Sequence, residues 1–461
     1  MNCKLFTRLS GRRLVETLAK TIWMAAIFFL VVPNSLIGVA RASAGDLAAG
    51  FGLGGKVITD FSSNIDVAAA VAVYPDGRIV LAGSSQSTDN YLDTDLALAR
   101  YNPDGSLDQT FGNGGLVTTD LNEYESSRAV AIQPDGKIVL AGTISRSNGT
   151  QDFVVVRYNE DGTLDSSFGQ DGVVTTDFYN TMDFAADMAI TPNGEIVVAG
   201  TIHWSIPKSD FAIARYRSNG ELDETFGSDG KVTFGLESAH EFLAAMALSS
   251  KGEIVLVGDT ITPQPEVYNS DCIVVRLNRD GSPDASFGDD GMVITDFTSV
   301  DMTGDVALTP GGEIIVVGTV EPSPPPKFDF VVARYDRHGN LDPSFGTGGH
   351  VFTDFSMRDD FAFAVAVRPN GKIVVAGKSG LVIGSSQNDF ALARYERDGT
   401  LDQSFGSSGI VTTDFSSYTD EAAAVTILPS GRIIVAGLTW DARIQPFSPS
   451  RDFALAAYES R

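Results

Sequence analysis

The pair Phe-Gly recurs at Phe51-Gly52, Phe111-Gly112, Phe168-Gly169, Phe226-Gly227, Phe287-Gly288, Phe345-Gly346 and Phe405-Gly406, always 57 to 61 residues apart. A chain with such a period builds one supersecondary unit repeatedly, and each unit buries its apolar surface against its neighbours. Two further markers keep the same count. A glycine closes an apolar run at Gly83, Gly142, Gly200, Gly258, Gly318, Gly377 and Gly437, and an aspartate opens another at Asp95, Asp152, Asp210, Asp271, Asp329, Asp389 and Asp452. A length of 461 residues ordinarily suggests several domains. Here one repeat fills the chain, so residues 45–461 read as a single domain.

Each unit reads as four short strands. In one copy they run over 128–133, 137–142, 153–159 and 173–178, with turns at Asp135-Gly136 and Asp161-Gly162. Asp-Gly accepts the positive φ that a tight hairpin demands. The strand residues are mostly Val, Ile, Ala, Phe and Thr, and runs such as Lys137 to Gly142 are continuously apolar rather than alternating, as in strands buried on both faces. No stretch after residue 44 keeps a helical period. The expectation is an all-β fold, a seven-bladed β-propeller of four-stranded blades. The repeat region begins with a fourth strand (51–61) and ends with a third (452–458), so the N-terminal strand would complete the last blade and close the ring, leaving no free edge. An open solenoid, the competing architecture, does not require that offset.

The segments Leu164-Asp165-Ser166-Ser167-Phe168-Gly169, Thr176-Asp177-Phe178, Pro134-Asp135-Gly136-Lys137-Ile138-Val139 and Asp389-Phe390-Ala391-Leu392-Ala393-Arg394-Tyr395 resemble the delta-60 repeat of bacterial proteins, and more distantly NHL-type propellers. The likeness runs over residues 46–461. It implies an exported or surface-displayed bacterial propeller, secreted or periplasmic, and it implies no shared enzymatic activity. The chain departs from the pattern at Gly235 in place of Asp, Ala457 in place of Arg and Leu277 in place of Tyr.

Residues 1–44 read as a secretory signal. Lys4, Arg8, Arg12, Arg13 and Lys20 precede an apolar stretch, Thr21 to Val32, that Pro33 ends, and Ala42-Ser43-Ala44 offers a small-residue cleavage site. The competing reading keeps the segment as an anchor; after cleavage no membrane span is expected. The segment carries +5 of a total of −26, which leaves −31 on the rest. A surface so acidic repels phosphate backbones, and nucleic acid is excluded as a partner. Beyond Cys3 the one cysteine is Cys272, at a strand position where other copies have Phe or Leu, and it reads as a small buried apolar residue.

If the strand at 128–133 is innermost, the variable connections between second and third strands share a face with the links between blades. Tyr91, Trp204, Tyr268, Phe328, Trp440 and Phe447 fall there and are candidates for gripping a protein or a glycan; the alternative is that they cap their own blades. Carboxylates gather on the same face, with Asp60, Asp66 and Asp95 as candidate Ca²⁺ ligands. The alternative pairs the Asp60 series with Arg100, Arg157, Arg215, Arg276, Arg334 and Arg394 or with backbone N–H groups at turns. No catalytic motif is found: His203, His240, His338 and His350 are scattered, and no nucleophile elbow, phosphate loop or zinc pattern occurs. The inner strands read as uniformly Ala, Val, Ile and Leu with Met188 and Met246 as variants, which argues against an axial active site. The expected function is that of a binding module for an extracellular protein or glycan, with an extracellular hydrolase or lactonase, or a purely structural surface protein, as alternatives.

Overall fold

A computed structural model describes residues 42–61, 65–86, 94–205, 208–236, 239–261, 269–298, 300–322, 327–355, 358–380, 387–415, 419–441 and 450–460. Residues 43–461 cluster as one compact unit. The described residues form strands and turns without an α-helix. They make repeated four-stranded antiparallel units, consistent with a β-propeller. One unit has strands Ile65–Val73, Ile79–Gln86, Asp95–Tyr101 and Leu116–Thr119 in that spatial order. The unit that starts at Tyr124 repeats it with Tyr124–Ile132, Ile138–Ser145, Gln151–Tyr158 and Val173–Thr176. At the far end, Thr419–Ile427, Ile433–Asp441 and Ser450–Tyr458 are joined by Lys56–Thr59, which runs antiparallel to Ser450–Tyr458 with Lys56 opposite Ala456.

The strands differ from the sequence expectation in length. First strands start four residues earlier than the apolar run in the Tyr124 unit, and second strands continue past the marker glycine, so the hairpin between them is longer. The segment 201–209, expected to be a variable loop, is largely paired strand, with His203 opposite Ser209. Fourth strands are shorter, four residues each, and Phe51 sits in the turn before its strand rather than in it.

Second and third strands are buried along nearly their whole length, which is why their sequences are continuously apolar. The marker glycine follows from a bulge. Each first strand slips by one residue, as between Ala68 and Ala70, and the slip presses the carbonyl of Val67 onto Gly83. A Cβ there would lie 2.1 Å from that oxygen, a space only glycine leaves open.

A second device lies at the Asp-Gly turn end. Arg100, Arg157, Arg215, Arg276, Arg334 and Arg394 do not pair with the Asp60 series. Each reaches the aspartate eight residues on, in a Leu-Asp turn or, once, Pro283-Asp284 (Asp108, Asp165, Asp223, Asp284, Asp342 and Asp402), at 2.7–2.9 Å. Each guanidinium lies 4.4–4.8 Å over the Phe of its Phe-Gly pair. Each also donates to a carbonyl of the following unit, such as Arg157 to Ser218 and Arg394 to Ser460. The reason for the correction is reach: the arginine projects to the turn end of its strand, and the Asp60 series lies at the other end. Burial opposes ionisation of Asp165, but hydrogen bonds from Lys137 and Ser167 and the charge of Arg157 hold it well below the usual carboxylate range. Where Ala457 replaces the arginine, Ala48 stands at the aspartate's place, and its N–H donates to the Ala457 carbonyl at 2.8 Å. Both are fully buried. The pair has been removed whole, which leaves no buried charge uncompensated.

The departure at Leu277 is compensated too. Elsewhere a third-strand tyrosine donates to a threonine on the preceding unit, as Tyr216 does to Thr176 at 2.7 Å and Tyr158 to Thr119 at 2.9 Å. At Leu277 the facing threonine is replaced by Phe234, and the two join one apolar cluster.

Candidate functional site

The opposite end of the units carries the acidic residues. One group draws on three elements: the aspartate opening a third strand, the one ending a fourth strand, and an acid near the start of the next first strand. Asp60, Asp66 and Asp452 form one such cluster, Asp95, Asp120 and Glu125 another, followed by Asp152, Asp177 and Asp183, by Asp271, Asp296 and Asp301, and by Asp329, Asp354 and Asp360. In each, one oxygen per residue lies within 4.8 Å of the others. Thus Asp60 and Asp66 are brought together, while Asp95 belongs to a separate cluster. Asp452, Asp120 and Glu125 complete these two; Asp452 and Asp120 belong to the aspartate series that open third strands and end fourth strands, while Glu125, standing where other copies carry Asp, is found only by admitting glutamate at that repeat position.

The acid near the start of the next first strand is the most deeply buried member of its cluster. Asp66, Glu125, Asp183, Glu241, Asp360 and Asp420 are fully buried. Asp183 accepts the Phe178 N–H at 2.6 Å, and Asp360 accepts the Phe355 N–H at 2.7 Å, so part of their role is to cap the link between units. That role leaves oxygens over. Glu125 Oε2, Glu241 Oε2, Asp329 Oδ1 and Asp360 Oδ1 are buried without a hydrogen-bond partner. Burial, reinforced by neighbouring carboxylates, pushes Glu125 up to about 8, Asp360 to about 7 and Asp183 and Asp301 to about 6. Clustered hard oxygens that repel one another, with the four just named lacking a donor, suit a divalent cation such as Ca²⁺. Such a cation is not demanded everywhere: Asp152 is already ion-paired with Arg146 at 2.7 Å.

One unit breaks the pattern. Gly235 supplies no carboxylate, and a Cβ there would meet Asp210 Oδ1 at 2.2 Å. Asp210 instead takes the indole N–H of Trp204 on Oδ2. Trp204 stacks on Tyr179 with ring centroids 5.1 Å apart and planes at 26°. Of the other aromatic candidates, Phe328 packs against Phe361 at 5.1 Å, and Trp440 is covered by Arg451 at 5.4 Å. Both are half-buried. Tyr91, Tyr268 and Phe447 lie outside the described residues. Tyr179, which the sequence reading passed over, is the most exposed aromatic ring of the described residues at 57 %.

His203 packs between Phe184 and Phe242 at 5.3 and 5.8 Å, and burial, with His240 adding to it, lowers its pKa. His338 sits in a turn whose backbone accepts the Gly288 N–H. Cys272 is buried, and burial pushes its thiol up to about 12.

The first strands are not uniformly apolar. A cavity of about 510 Å³ is lined by Ala70, Arg128, Asp187, Asp305, Phe363 and Glu421 among others, drawn from first strands along the whole repeat. The bulges decide this, because they turn single positions inward that period-two reading assigns to the strand's apolar series. Asp187 accepts the N–H of Met188 at 2.7 Å and of Met246 at 2.8 Å, and Asp305 accepts those of Val306 and Val365, each at 2.7 Å. Burial raises Asp187 to about 6, and burial with the charge of Asp187 raises Asp305 to about 7. With both oxygens bonded to backbone, these carboxylates stitch adjacent first strands together.

Residues 75–111, 133–168, 191–226, 252–287 and 368–405 match the family described as domain of unknown function (DUF5122) beta-propeller. The chain carries DUF5122 beta-propeller repeats. Each match runs from the first hairpin turn to the Phe of the Phe-Gly pair, so the matched segments hold the buried second and third strands and the arginine with its aspartate, while the acidic clusters draw on matched and unmatched segments. No curated protein matches the chain. Among solved structures, polysaccharide lyase Uly1 is similar at 13 % identity and a TM-score of 0.50, over 85 % of this chain and 90 % of that one. A virginiamycin B lyase from Staphylococcus aureus is similar at 9 % identity and a TM-score of 0.48, over 87 % and 98 %. A protein of unknown function from Dyadobacter fermentans gives 12 % and 0.44, over 90 % and 100 %. At 13 % identity the likeness to Uly1 is one of fold alone.

Proposed function

We propose that this chain is an exported bacterial β-propeller of seven blades, closed by its N-terminal strand, that works as a binding module for an extracellular protein or glycan, with divalent cations, calcium foremost, ordering its loop face. Ring closure is supported by the pairing of Lys56–Thr59 with Ser450–Tyr458 and by one cavity lined from first strands along the whole repeat. A series of links between units supports it as well. The glycine of each Phe-Gly pair donates to a turn carbonyl of the next unit, as Gly112 does to Asp161, and Gly406 donates to Ala44 at 2.8 Å.

The observation that carries the binding reading is the Asp95–Asp120–Glu125 cluster, in which a fully buried glutamate keeps an oxygen without a donor beside two other carboxylates. A cation there would satisfy Glu125 Oε2 and neutralise repulsion that folding otherwise has to absorb. The repetition of the cluster on the face that carries the exposed aromatics puts this charge beside the surface available to a partner. The test is the melting temperature in millimolar calcium and in chelator at pH 8. Ligand at about a hundred times its Kd adds ~2.7 kcal/mol per site. A clear rise supports the reading, and identical melting curves return the carboxylates to capping duty alone.

A further inference from the structure

Tyr179 and Trp204 stand out from the rest of the loop face in three respects. They form a stacked pair of which Tyr179 is 57 % and Trp204 38 % exposed. Among the described residues the pair occurs once: Tyr179, in the link after Val173–Thr176, stacks on Trp204 of the following unit, the one in which Gly235 has removed a carboxylate and freed Asp210 to hold the indole. Tyr179 is also held at a backbone cost: its φ is 68° and that of Asn180 is 59°. Asn tolerates this left-handed region, but a bulky aromatic there is uncommon and is retained where surrounding contacts impose it. Those contacts are visible. Asn180 N–H donates to Asp177 Oδ1 at 2.8 Å, and the Thr181 hydroxyl lies 2.8 Å from the Phe178 carbonyl and 2.7 Å from Asp183 Oδ1, with its single hydrogen for one or the other.

We infer that the Tyr179–Trp204 pair is a stacking platform for an uncharged glycan. The inference rests on the binding-module reading and names its ligand class. Side chains of this kind bury about 150–250 Å² each, so the exposed fractions leave roughly 200 Å² of open ring surface. That is far below the ~800 Å² each partner of a standard protein interface covers. It matches the apolar C–H face of one or two pyranose rings, and the phenol and neighbouring Asn180 and Thr181 offer polar groups for sugar hydroxyls. Asp152, Asp177 and Asp183 stand beside the platform, and the chain's charge of −26 adds to them, so a uronate or sulfated polymer is repelled. Since Asp177 both belongs to that cluster and anchors the Asn180 N–H, a cation at the cluster would stiffen the loop that presents the ring.

The test uses tryptophan emission in a Trp440→Phe background, where Trp204 is the sole tryptophan after residue 44. Cellohexaose, chitohexaose and mannohexaose are titrated, with hexagalacturonate as the polyanionic control, each in calcium and in chelator. At least one neutral hexaose is expected to shift the Trp204 emission, and Tyr179→Asn, which keeps a residue suited to positive φ, is expected to weaken that binding at least tenfold with the melting temperature unchanged. The inference is overturned if no neutral hexaose binds, if hexagalacturonate binds best, or if Tyr179→Asn binds as tightly as the parent. Sedimentation showing a Tyr179-dependent dimer assigns the rings to a second copy of the chain and overturns it too. A calcium-dependent melting shift that persists in Tyr179→Asn while sugar binding fails sinks this inference and leaves the cation reading standing.

Discussion

The two ends of the strands treat the same residue, aspartate, in opposite ways. At the turn end, Asp108, Asp165, Asp223, Asp284, Asp342 and Asp402 each meet a buried arginine, a serine or threonine hydroxyl and a backbone N–H, and their pKa values are held low. At the loop end, Glu125, Asp183, Asp301 and Asp360 are buried among other acids, and burial first, with those neighbours adding to it, drives their pKa values up. Both arrangements recur with the repeat, so recurrence alone does not separate architecture from function. Charge balance does. The turn end is complete within the chain, whereas the loop end keeps acceptors that the described residues do not satisfy.

The comparison breaks most violently at the arginine latch. Arg394→Ala should cost about 3–5 kcal/mol, because it takes the guanidinium from buried Asp402 and leaves the Ser460 carbonyl with Arg368 alone. Lys372, which also bonds Asp402 at 2.6 Å, sets the lower end of that range. The double variant Arg394→Ala with Asp402→Ala, which copies the natural Ala457–Ala48 pair, should recover a large part of the loss. A double-mutant cycle by urea unfolding measures both, and additive losses would show that the two residues act independently.

Smaller, and opposite in sign at the two ends, is the response to pH. Carboxylates whose folded pKa is depressed contribute stability above the unfolded pKa of about 4 that is lost as pH falls through the folded value. The raised loop-end acids bind protons more tightly folded than unfolded. Their contribution is full below about pH 4 and is lost as pH rises through about 6 to 8. In chelator, stability should therefore peak in mildly acidic solution and decline toward pH 8. Calcium should remove most of the alkaline decline, and Glu125→Gln should flatten part of it without calcium. Thermal melts from pH 4 to pH 9 check this, and a profile still rising at pH 8 in chelator counts against it.

The smallest effect concerns the unit that belongs fully to neither pattern. Gly235→Asp restores the missing carboxylate and must push Asp210 off the Trp204 indole, since even a Cβ would meet Asp210 at 2.2 Å. A red shift of Trp204 emission in the Trp440→Phe background, with stability changed by about 1 kcal/mol or less, is the expected outcome. Unchanged emission would show that the hydrogen bond does not fix the ring.

Much of this was legible in the sequence. The markers at Phe51 through Phe405 gave the unit and its period, and the buried second and third strands announced themselves as continuous apolar runs. The face shared by the Asp60 and Asp95 series also followed from the repeat. The partner of Arg100 did not, because the choice between Asp108 and Asp120 depends on which end of the strand a side chain reaches, and both lie at constant spacing. Asp187 and Asp305 were hidden in alanine-rich strands because a bulge inverts which positions face the cavity, and a bulge leaves no composition signal of its own. Tyr179 was missed for a similar reason: its prominence comes from a positive φ, which glycine or asparagine would have advertised and tyrosine does not.

The pairing of Lys56–Thr59 with Ser450–Tyr458 also has a meaning in time. The first strand of the repeat region to be synthesised finds its neighbour only after nearly four hundred further residues have been made. Until then that unit has three of its strands missing, and the buried Phe51 and Ala48 lack the part of their cluster that Ile434, Ala436, Phe453, Leu455 and Ala457 supply. This delay exposes the early strand to the wrong partner, another chain's Ser450–Tyr458, so crowding of newly made copies is the condition under which this fold is most open to strand exchange between them.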